Sequence, residues 1–165
     1  MAVRWVWNKI RRARPDDAAE IVRVRRDAIL SKAASHYEQR LLTDWVATGT
    51  DRLARIQGEI ADPAIIVLVA EAAGEIIGFA VGAPCDHDLR ALYTQPNDID
   101  GIGRKLLAAI EAIAFQSTPF LTCDASLNAE DFYRANGYRA EGRKDYVSPS
   151  GVISQVVQMR KPRPA

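Results

Sequence analysis

The chain has 165 residues, of which 48% are hydrophobic and 26% are charged, and this composition is ordinary for a soluble globular protein. Its length predicts a single domain, residues 1–165, that is large enough to bury a core of its own. The formal net charge of +1 argues against nucleic-acid binding driven by bulk charge, and no apolar run reaches the roughly 18–20 residues that cross a bilayer.

The first half of the chain predicts one strand and two helical regions. Alternating apolar residues around Trp7 predict a strand over residues 4–13, and Pro15-Asp16-Asp17 is a helix-start signal before a helix over 17–30. The basic residues Arg23, Arg25 and Arg26 fall on that helix, where we expect a solvated face. A second helical region is predicted over 35–60, broken near residue 49 and ended by Asp62-Pro63.

The second half alternates strands with helices. Strands are predicted over 65–70, 76–81 and 89–94, with a hairpin at Ala73-Gly74 between the first two. A helix over 102–116, a strand over 120–123 and a helix over 127–135 ended by Gly137 follow. The last strands are predicted over 138–146 and 152–159, so the order gives an α+β fold with a mixed sheet, not a regular doubly wound one. An edge strand such as Val152–Met159 offers a pairing surface for a homodimer.

The most informative segment is the glycine turn that opens the helix over 102–116. The first N–H groups of a helix lack intrahelical partners, and the helix dipole makes that end positive. Glycines such as Gly101 and Gly103 let a phosphate approach the backbone closely, so we expect a phosphorylated cofactor at Gly101–Lys105. The P-loop pattern is absent, and Leu106 replaces the third glycine of the dinucleotide pattern, so neither a nucleotide triphosphatase nor a Rossmann dehydrogenase is expected.

The two cysteines indicate neither a disulfide framework nor a metal site. Cys85 and Cys123 are too few and too far apart for either. We expect two buried, reduced thiols in a cytoplasmic protein that holds no metal.

Three segments resemble the GNAT superfamily of acyl-CoA-dependent N-acyltransferases. The segment LRALYTQPNDIDGIGRKLL (Leu89–Leu107) is similar to the central motif of the family, and SLNAEDFYRANGY (Ser126–Tyr138) is similar to its downstream motif. The opening IRRARPDDAAEI (Ile10–Ile21) is similar to its first strand and helix. The resemblance covers essentially the whole chain and implies a central, mostly antiparallel mixed sheet of about seven strands flanked by helices.

The resemblance also implies a binding site for acetyl-CoA. Leu92, Tyr93 and Thr94 fall where the family's strand pairs with the pantetheine amides. Asn128 falls where the pantetheine arm is hydrogen-bonded, although it could equally be the N-cap of the short helix that follows. The pyrophosphate is expected over the loop and first helical turn formed by Asp100, Gly101, Ile102, Gly103, Arg104 and Lys105.

Two residues are candidates for proton transfer. Tyr133 falls where many members have a tyrosine near the thioester sulfur, and a phenol with a pKa near 10 suits a general acid for the departing thiolate, although it could merely pack the helix. Asp88 falls where several members carry a Glu, and strand alternation places Asp88, Arg90 and Leu92 on one face. Asp88 is therefore the candidate base, with Asp86 and His87 close by, and a solvated loop is the alternative.

The chain departs from the family pattern at Asp98 and Asp100. The family usually has Gln or Arg at the first position and a basic residue at the second. Carboxylates favour a helix N-terminus but repel a pyrophosphate, so Asp100 either caps the helix or weakens cofactor binding.

We expect an acetyl-CoA-dependent N-acetyltransferase that moves an acetyl group to the primary amine of a small molecule by direct attack in a ternary complex. Its partners are acetyl-CoA and that amine, bound between the helical region around Tyr37–Trp45 and the far strands, with no nucleic acid or membrane. One alternative is a non-catalytic acyl-CoA-binding or regulatory domain. Another is a protein lysine or N-terminal acetyltransferase, which needs an open acidic groove for its peptide.

Overall fold

The structure is a computed structural model that describes residues 7–32, 37–46, 49–96, 101–148 and 151–165. The strands are β1 (Trp7–Arg12), β2 (Ile66–Ala72), β3 (Glu75–Ala83), β4 (Asp88–Thr94), β5 (Phe120–Ser126), β6 (Arg139–Val147) and β7 (Ile153–Pro162). The helices are α1 (Ala18–Lys32), α2 (Gln39–Val46), α3 (Gly49–Ala61), α4 (Ile102–Ala114) and α5 (Glu130–Ala135). The predicted order of elements is confirmed, and residues 4–6 of the predicted first strand lie outside the described residues.

The described strands form one seven-stranded sheet in the order β1-β2-β3-β4-β5-β7-β6. Every neighbouring pair is antiparallel except β4 and β5, which are parallel, so the predicted α+β class with a mostly antiparallel sheet is confirmed. The prediction that Val152–Met159 is an edge strand is wrong, because β7 lies between β5 and β6 and buries Val157 and Met159 in the core. The edge strand at this end of the sheet is β6, which is exposed along almost its whole length.

Helices cover both faces of the sheet, which is why the interior strand β2 is apolar at consecutive positions and not at alternate ones. Leu106 and Ile110 of α4 pack on one face, together with Leu68. Val24 of α1 packs on the other face, and the exposed fraction of each of these side chains is 3% or less. Burying one such side chain contributes about 1.5–3 kcal/mol to folding.

Two glycines of β3 set how closely α4 lies on the sheet. A Cβ atom at Gly78 would lie 2.9 Å from Leu106 Cδ1 and 3.2 Å from the Tyr93 carbonyl oxygen. A Cβ atom at Gly82 would lie 3.0 Å from Ile110 Cδ1. Side chains at these positions would push α4 away, so the glycines fix its N-terminus beside the end of β4.

An ion-pair network holds the start of α1 against β2. The Arg11 guanidinium donates to Asp17 at 2.7 Å and to Glu71 at 2.8 Å, and the Asp17 carboxylate also accepts the Arg14 N–H at 2.6 Å. The helix begins with a 3-10 turn at Pro15–Asp17, at the predicted start signal. The hydrogen bond from Arg11 holds the pKa of Asp17 below its ordinary value despite partial burial.

The cysteines differ in exposure, so the prediction of two buried thiols is wrong for one of them. Cys123 on β5 is buried, whereas Cys85 is exposed. Cys85 lies in the 3-10 turn Pro84–Asp86, which carries the chain over the surface from β3 to β4.

Candidate functional site

The sheet splits between its two parallel strands. Among the described residues, β4 and β5 pair only at Asp88 and Thr122, where the Thr122 N–H donates to the His87 carbonyl at 2.7 Å. Beyond this pair a cavity of about 420 Å³ opens between the strands. The edge of β4 that faces the cavity therefore has no strand neighbour there, and its backbone groups suit a ligand with amide groups.

Most of the sequence-predicted cofactor residues meet at this cavity. Its wall includes Leu92, Tyr93 and Thr94 of β4, Gly103 of α4, and Asn128 and Tyr133. Gly101, Ile102, Arg104 and Lys105 do not line it. Ile102 is buried in the core, and the side chains of Arg104 and Lys105 lie on the exposed surface of α4.

Asn128 lines the cavity and does not cap a helix. The alternative that it is an N-cap is wrong, because Ser126 caps the 3-10 turn Leu127–Ala129 and Ala129 caps α5. The Asn128 Oδ1 atom is buried and accepts no hydrogen bond from the described residues. A buried amide oxygen without a donor costs about 1–3 kcal/mol, so a ligand N–H in the cavity would remove this cost.

Tyr133 lines the same cavity. Its side chain is 6% exposed, and its ring packs edge-on against Phe132 and Tyr138 with centroid distances of 5.3 Å in both cases. Burial is the main cause that raises the pKa of Tyr133 well above 10, and the negative charges that Cys123 and Tyr93 would carry when deprotonated raise it further. The hydroxyl therefore stays protonated across the neutral range and can donate a proton.

A bulge in β4 changes the predicted position of Asp88. Ala91 pairs with Val81 and Leu89 with Gly82, so Arg90 is an extra residue in the strand. The prediction that Asp88, Arg90 and Leu92 share a face is wrong, because Leu92 packs on the α4 side whereas Arg90 pairs with Glu59 of α3 at 3.5 Å.

Asp88 itself lies at the closed end of the split and does not line the cavity. Its side chain is 39% exposed, and its carboxylate lies 3.7 Å from Arg90 Nε. Partial burial raises the pKa of Asp88, and the charge of Asp124 raises it further, against the effect of Arg90. A carboxylate with a raised pKa is a stronger base, so its chemistry suits the predicted role although its position is indirect.

The N-terminus of α4 lies beside the cavity through Gly103. Gly101 is the N-cap, the position that the sequence offered to Asp100, and its φ of +67° is strained for other residues. The Lys105 N–H donates to the Gly101 carbonyl at 3.1 Å as the helix begins. Asp98 and Asp100 lie outside the described residues, so their effect on an anion stays a prediction.

Several residues of the cavity wall were not found from the sequence. Asp124 of β5 lies in the wall and pairs with Lys144 at 2.6 Å. Arg25 of α1 also lines the cavity and is half-buried, so the predicted solvated face is wrong at this position. An Asp in a strand and an Arg in a basic helix carry no motif, so only the three-dimensional arrangement identifies them.

An aromatic cluster closes the cavity on the α1 side of the sheet. Tyr37 packs against Trp45 at 4.8 Å between centroids, and Trp45 packs against Tyr146 of β6 at 5.7 Å. The Tyr37 hydroxyl accepts the Leu127 N–H at 2.8 Å and donates to the Gln155 carbonyl at 3.1 Å. These contacts join the α2 region to the far strands, where the acceptor pocket was predicted.

A family model and solved structures match this architecture. The model described as "Acetyltransferase (GNAT) domain" matches residues 33–160. The chain belongs to the GNAT acetyltransferase family. Membership makes it an enzyme of the N-acetyltransferase class, as the resemblance implied.

Solved GNAT structures superpose on nearly the whole chain. A GCN5-related N-acetyltransferase of Rhodopseudomonas palustris is 25% identical with a TM-score of 0.84, over 98% of this chain and 99% of that one. The PaiA N-acetyltransferase of Thermoplasma acidophilum, solved with coenzyme A, is 21% identical with a TM-score of 0.76, over 93% and 98%. A ribosomal-protein-alanine N-acetyltransferase of Brucella melitensis is 24% identical with a TM-score of 0.68, over 94% and 99%.

Two further findings complete the comparison. A search of curated proteins found no match to this sequence. Within the described part of this GNAT chain, no helix combines the length and the apolar character needed to traverse a membrane.

Proposed function

We propose that this GNAT enzyme transfers the acetyl group of acetyl-CoA to the primary amine of a small molecule, by direct attack in a ternary complex. The observation that carries the proposal is the buried Oδ1 of Asn128, which accepts no hydrogen bond from the described residues and lies in a cavity between β4 and β5, two strands that pair only at Asp88 and Thr122 in the part of the chain that the structure describes. The coenzyme A complex of the Thermoplasma relative supports the choice of cofactor.

The cofactor would lie in the split with its pantetheine arm along β4. Its amides would pair with the backbone of Leu92–Thr94 and with Asn128, which line the cavity. The pyrophosphate would lie at the N-terminus of α4, over the backbone of Gly101–Gly103, where the helix dipole is positive. Arg104 and Lys105 on the exposed first turn would add positive charge there.

The transfer step would use donors and acceptors on both sides of the thioester. The neutral amine nitrogen attacks the carbonyl carbon, backbone N–H groups stabilise the oxyanion, and the C–S bond then breaks. Tyr133 would donate its proton to the departing thiolate and recover one from solvent. The proton lost by the amine would pass to Asp88, by way of water because Asp88 does not line the cavity.

The shape of the acceptor side favours a small molecule over a protein. The aromatic cluster of Tyr37, Trp45 and Tyr146 covers this side, and the cavity of about 420 Å³ would hold the pantetheine arm as well as the acceptor, which favours a small acceptor. Asp124 is the one acidic residue among the described lining residues, so no acidic peptide groove is seen there. The presence of Tyr133 at the split favours an enzyme over a non-catalytic acyl-CoA sensor.

Calorimetry with acetyl-CoA and coenzyme A, followed by thiol-release assays, tests the proposal. We expect binding of both cofactors, and thiol release with at least one small primary amine but not with peptide N-termini or lysine peptides. Binding without release on any amine would favour the sensor, and release with peptides alone would favour a protein acetyltransferase. Sedimentation of the same sample tests the homodimer, which stays a prediction.

A further inference from the structure

One cation of the acceptor side has no acidic partner among the described residues. Arg25 Nη1 donates to the Trp45 carbonyl at 2.8 Å, and its guanidinium lies 5.8 Å from the centroid of the Tyr93 ring. No carboxylate in the described ranges lies within 4.0 Å of Arg25. Its helix neighbours Arg23 and Arg26 both pair with Asp27, at 3.6 and 3.3 Å.

A second arginine strengthens the positive charge near Arg25. Arg52 of α3 is partly buried, and burial together with the charges of Arg25 and Arg55 lowers its pKa. Burial is the largest cause of this shift, and the positive charges of Arg25 and Arg55 add to it. The region around Arg25 therefore has a positive potential that an anion would relieve.

The described residues of the cavity wall include more basic than acidic side chains. Arg25, Lys32 and Arg90 are its basic residues, whereas Asp124 is the one acid among its described lining residues and already pairs with Lys144 at 2.6 Å. Arg90 is neutralised by Asp86 at 2.9 Å and by Glu59 at 3.5 Å. Lys32 donates to Thr94, beside the predicted cofactor path. Arg25 thus lines the cavity and contacts a backbone carbonyl and an aromatic ring, but no carboxylate among the described residues.

Arg25 is also fixed in place and partly shielded from water. Its bond to the Trp45 carbonyl and its position over Tyr93 hold the guanidinium against the aromatic wall that Tyr146 extends. A guanidinium held in this way can offer its remaining N–H groups as a two-pronged donor to a carboxylate or a phosphate. Shielding from water strengthens such a pair.

We propose that the acceptor amine carries a carboxylate or phosphate group, and that Arg25 binds this anionic group and so determines acceptor specificity. This inference rests on the proposed function, because it assumes that the cavity beside the thioester holds the acceptor. It excludes acceptors that carry only cations, such as polyamines and aminoglycosides, since their charges would lie against Arg25. Carboxylate and phosphate share the chemistry that Arg25 recognises, and the assay below separates them.

The test compares acceptors that differ only in the anionic group. Each amino acid is paired with its carboxamide, and each aminoalkyl phosphate with the matching amino alcohol, in a thiol-release assay at saturating acetyl-CoA. We expect kcat/KM to be about tenfold or more higher for the anionic member of the preferred pair, which is the size of a charge-assisted hydrogen bond. Equal values for both members, or a preference for polyamines, would overturn the proposal.

Variants of Arg25 assign the preference to this side chain. Arg25→Gln should remove the preference for the anionic acceptor by raising the KM of that acceptor about tenfold. The KM of the neutral acceptor and the KM of acetyl-CoA should stay within twofold of their wild-type values. Arg25→Lys should keep part of the preference. Arg26→Gln, a charge loss on the exposed face of the same helix, should keep all of it. A preference that survives Arg25→Gln would refute the assignment.

Binding measurements keep the two proposals distinguishable. If the protein binds coenzyme A but releases no thiol with any amine, the proposed function fails. Calorimetric titration of the same anionic and neutral ligands into the coenzyme A complex then decides the role of Arg25 by itself. Tighter binding of the anionic ligand that is lost in Arg25→Gln supports an anion site, and equal binding of both ligands contradicts it.

Discussion

Replacing Tyr133 by Phe removes one oxygen atom from the cavity wall and leaves the rest of the ring in place. The ring keeps its edge-on contacts with Phe132 and Tyr138. No hydrogen bond of the hydroxyl is found among the described residues, so the free energy of unfolding should change by about 1 kcal/mol or less. The variant therefore separates chemistry from folding.

The loss of a general acid should lower kcat by about 10²- to 10⁴-fold, which corresponds to about 2.7–5.5 kcal/mol of transition-state stabilisation. The affinity for acetyl-CoA should stay within about twofold, because Asn128 and the β4 edge remain. The raised pKa of Tyr133 also predicts that the wild-type rate shows no loss of this acid below about pH 10.

Tyr138→Phe is the matched control, since it makes the same chemical change in a ring that packs edge-on against Tyr133 but is not among the residues that line the cavity. Thiol release measures kcat, calorimetry measures cofactor affinity, and chemical denaturation measures stability. A Tyr133→Phe enzyme whose kcat stays within twofold of wild type, or falls no more than that of Tyr138→Phe, would refute the role of Tyr133 as the acid.

Three further predictions concern the framework and the base. Gly78→Ala should lower the free energy of unfolding by about 1–3 kcal/mol, because the new Cβ would push α4 off the sheet. In the control variant Gly58→Ala the new Cβ meets nothing within 4 Å, so the free energy of unfolding should rise by about 0.5–1 kcal/mol. Thermal or denaturant unfolding measures both changes. Asp17→Asn should lower the free energy of unfolding by about 2 kcal/mol at pH 7. Because folding lowers the pKa of Asp17, its carboxylate stabilises the folded state above the unfolded pKa near 4, and this contribution is lost as the pH falls through the folded pKa. The control variant Asp16→Asn should not lose this stability. Asp88→Asn should lower kcat/KM about tenfold or more. It should also remove the fall in kcat/KM on the acidic side of the pH–rate profile, which in the wild type begins at a higher pH than an ordinary Asp would give because the pKa of Asp88 is raised. A pH–rate profile that the substitution leaves unchanged would exclude Asp88 as the base.

The elements and their order were predictable because local chemistry determines them. The Ala73-Gly74 hairpin was marked by its residues, and both have positive φ, at 50° and 82°. The helix start at Pro15–Asp17 and the glycine that opens α4 were likewise predictable from a few neighbouring residues. The order of the strands in the sheet could not be predicted from neighbouring residues. β7 lies inside the sheet because β6 pairs on its outer side, and no pattern within either strand indicates which of the two is the edge strand.

The cavity-lining residues that belong to a motif were predictable, and those outside any motif were not. Asn128 and Tyr133 belong to a motif, and the fold brings both to one cavity. The position of Asp88 was misjudged because the bulge at Arg90 breaks the alternation on which the prediction depended. Arg25 was missed because only the packing of α1 on the split sheet shows that it lines a cavity.

A crystal structure with a non-hydrolysable acetyl-CoA analogue tests the central claim most directly. The account predicts the pantetheine arm between β4 and β5, an amide N–H donated to Asn128 Oδ1, and the sulfur within hydrogen-bond distance of the Tyr133 hydroxyl. An analogue bound outside the split, or one whose sulfur lies away from Tyr133, would contradict it.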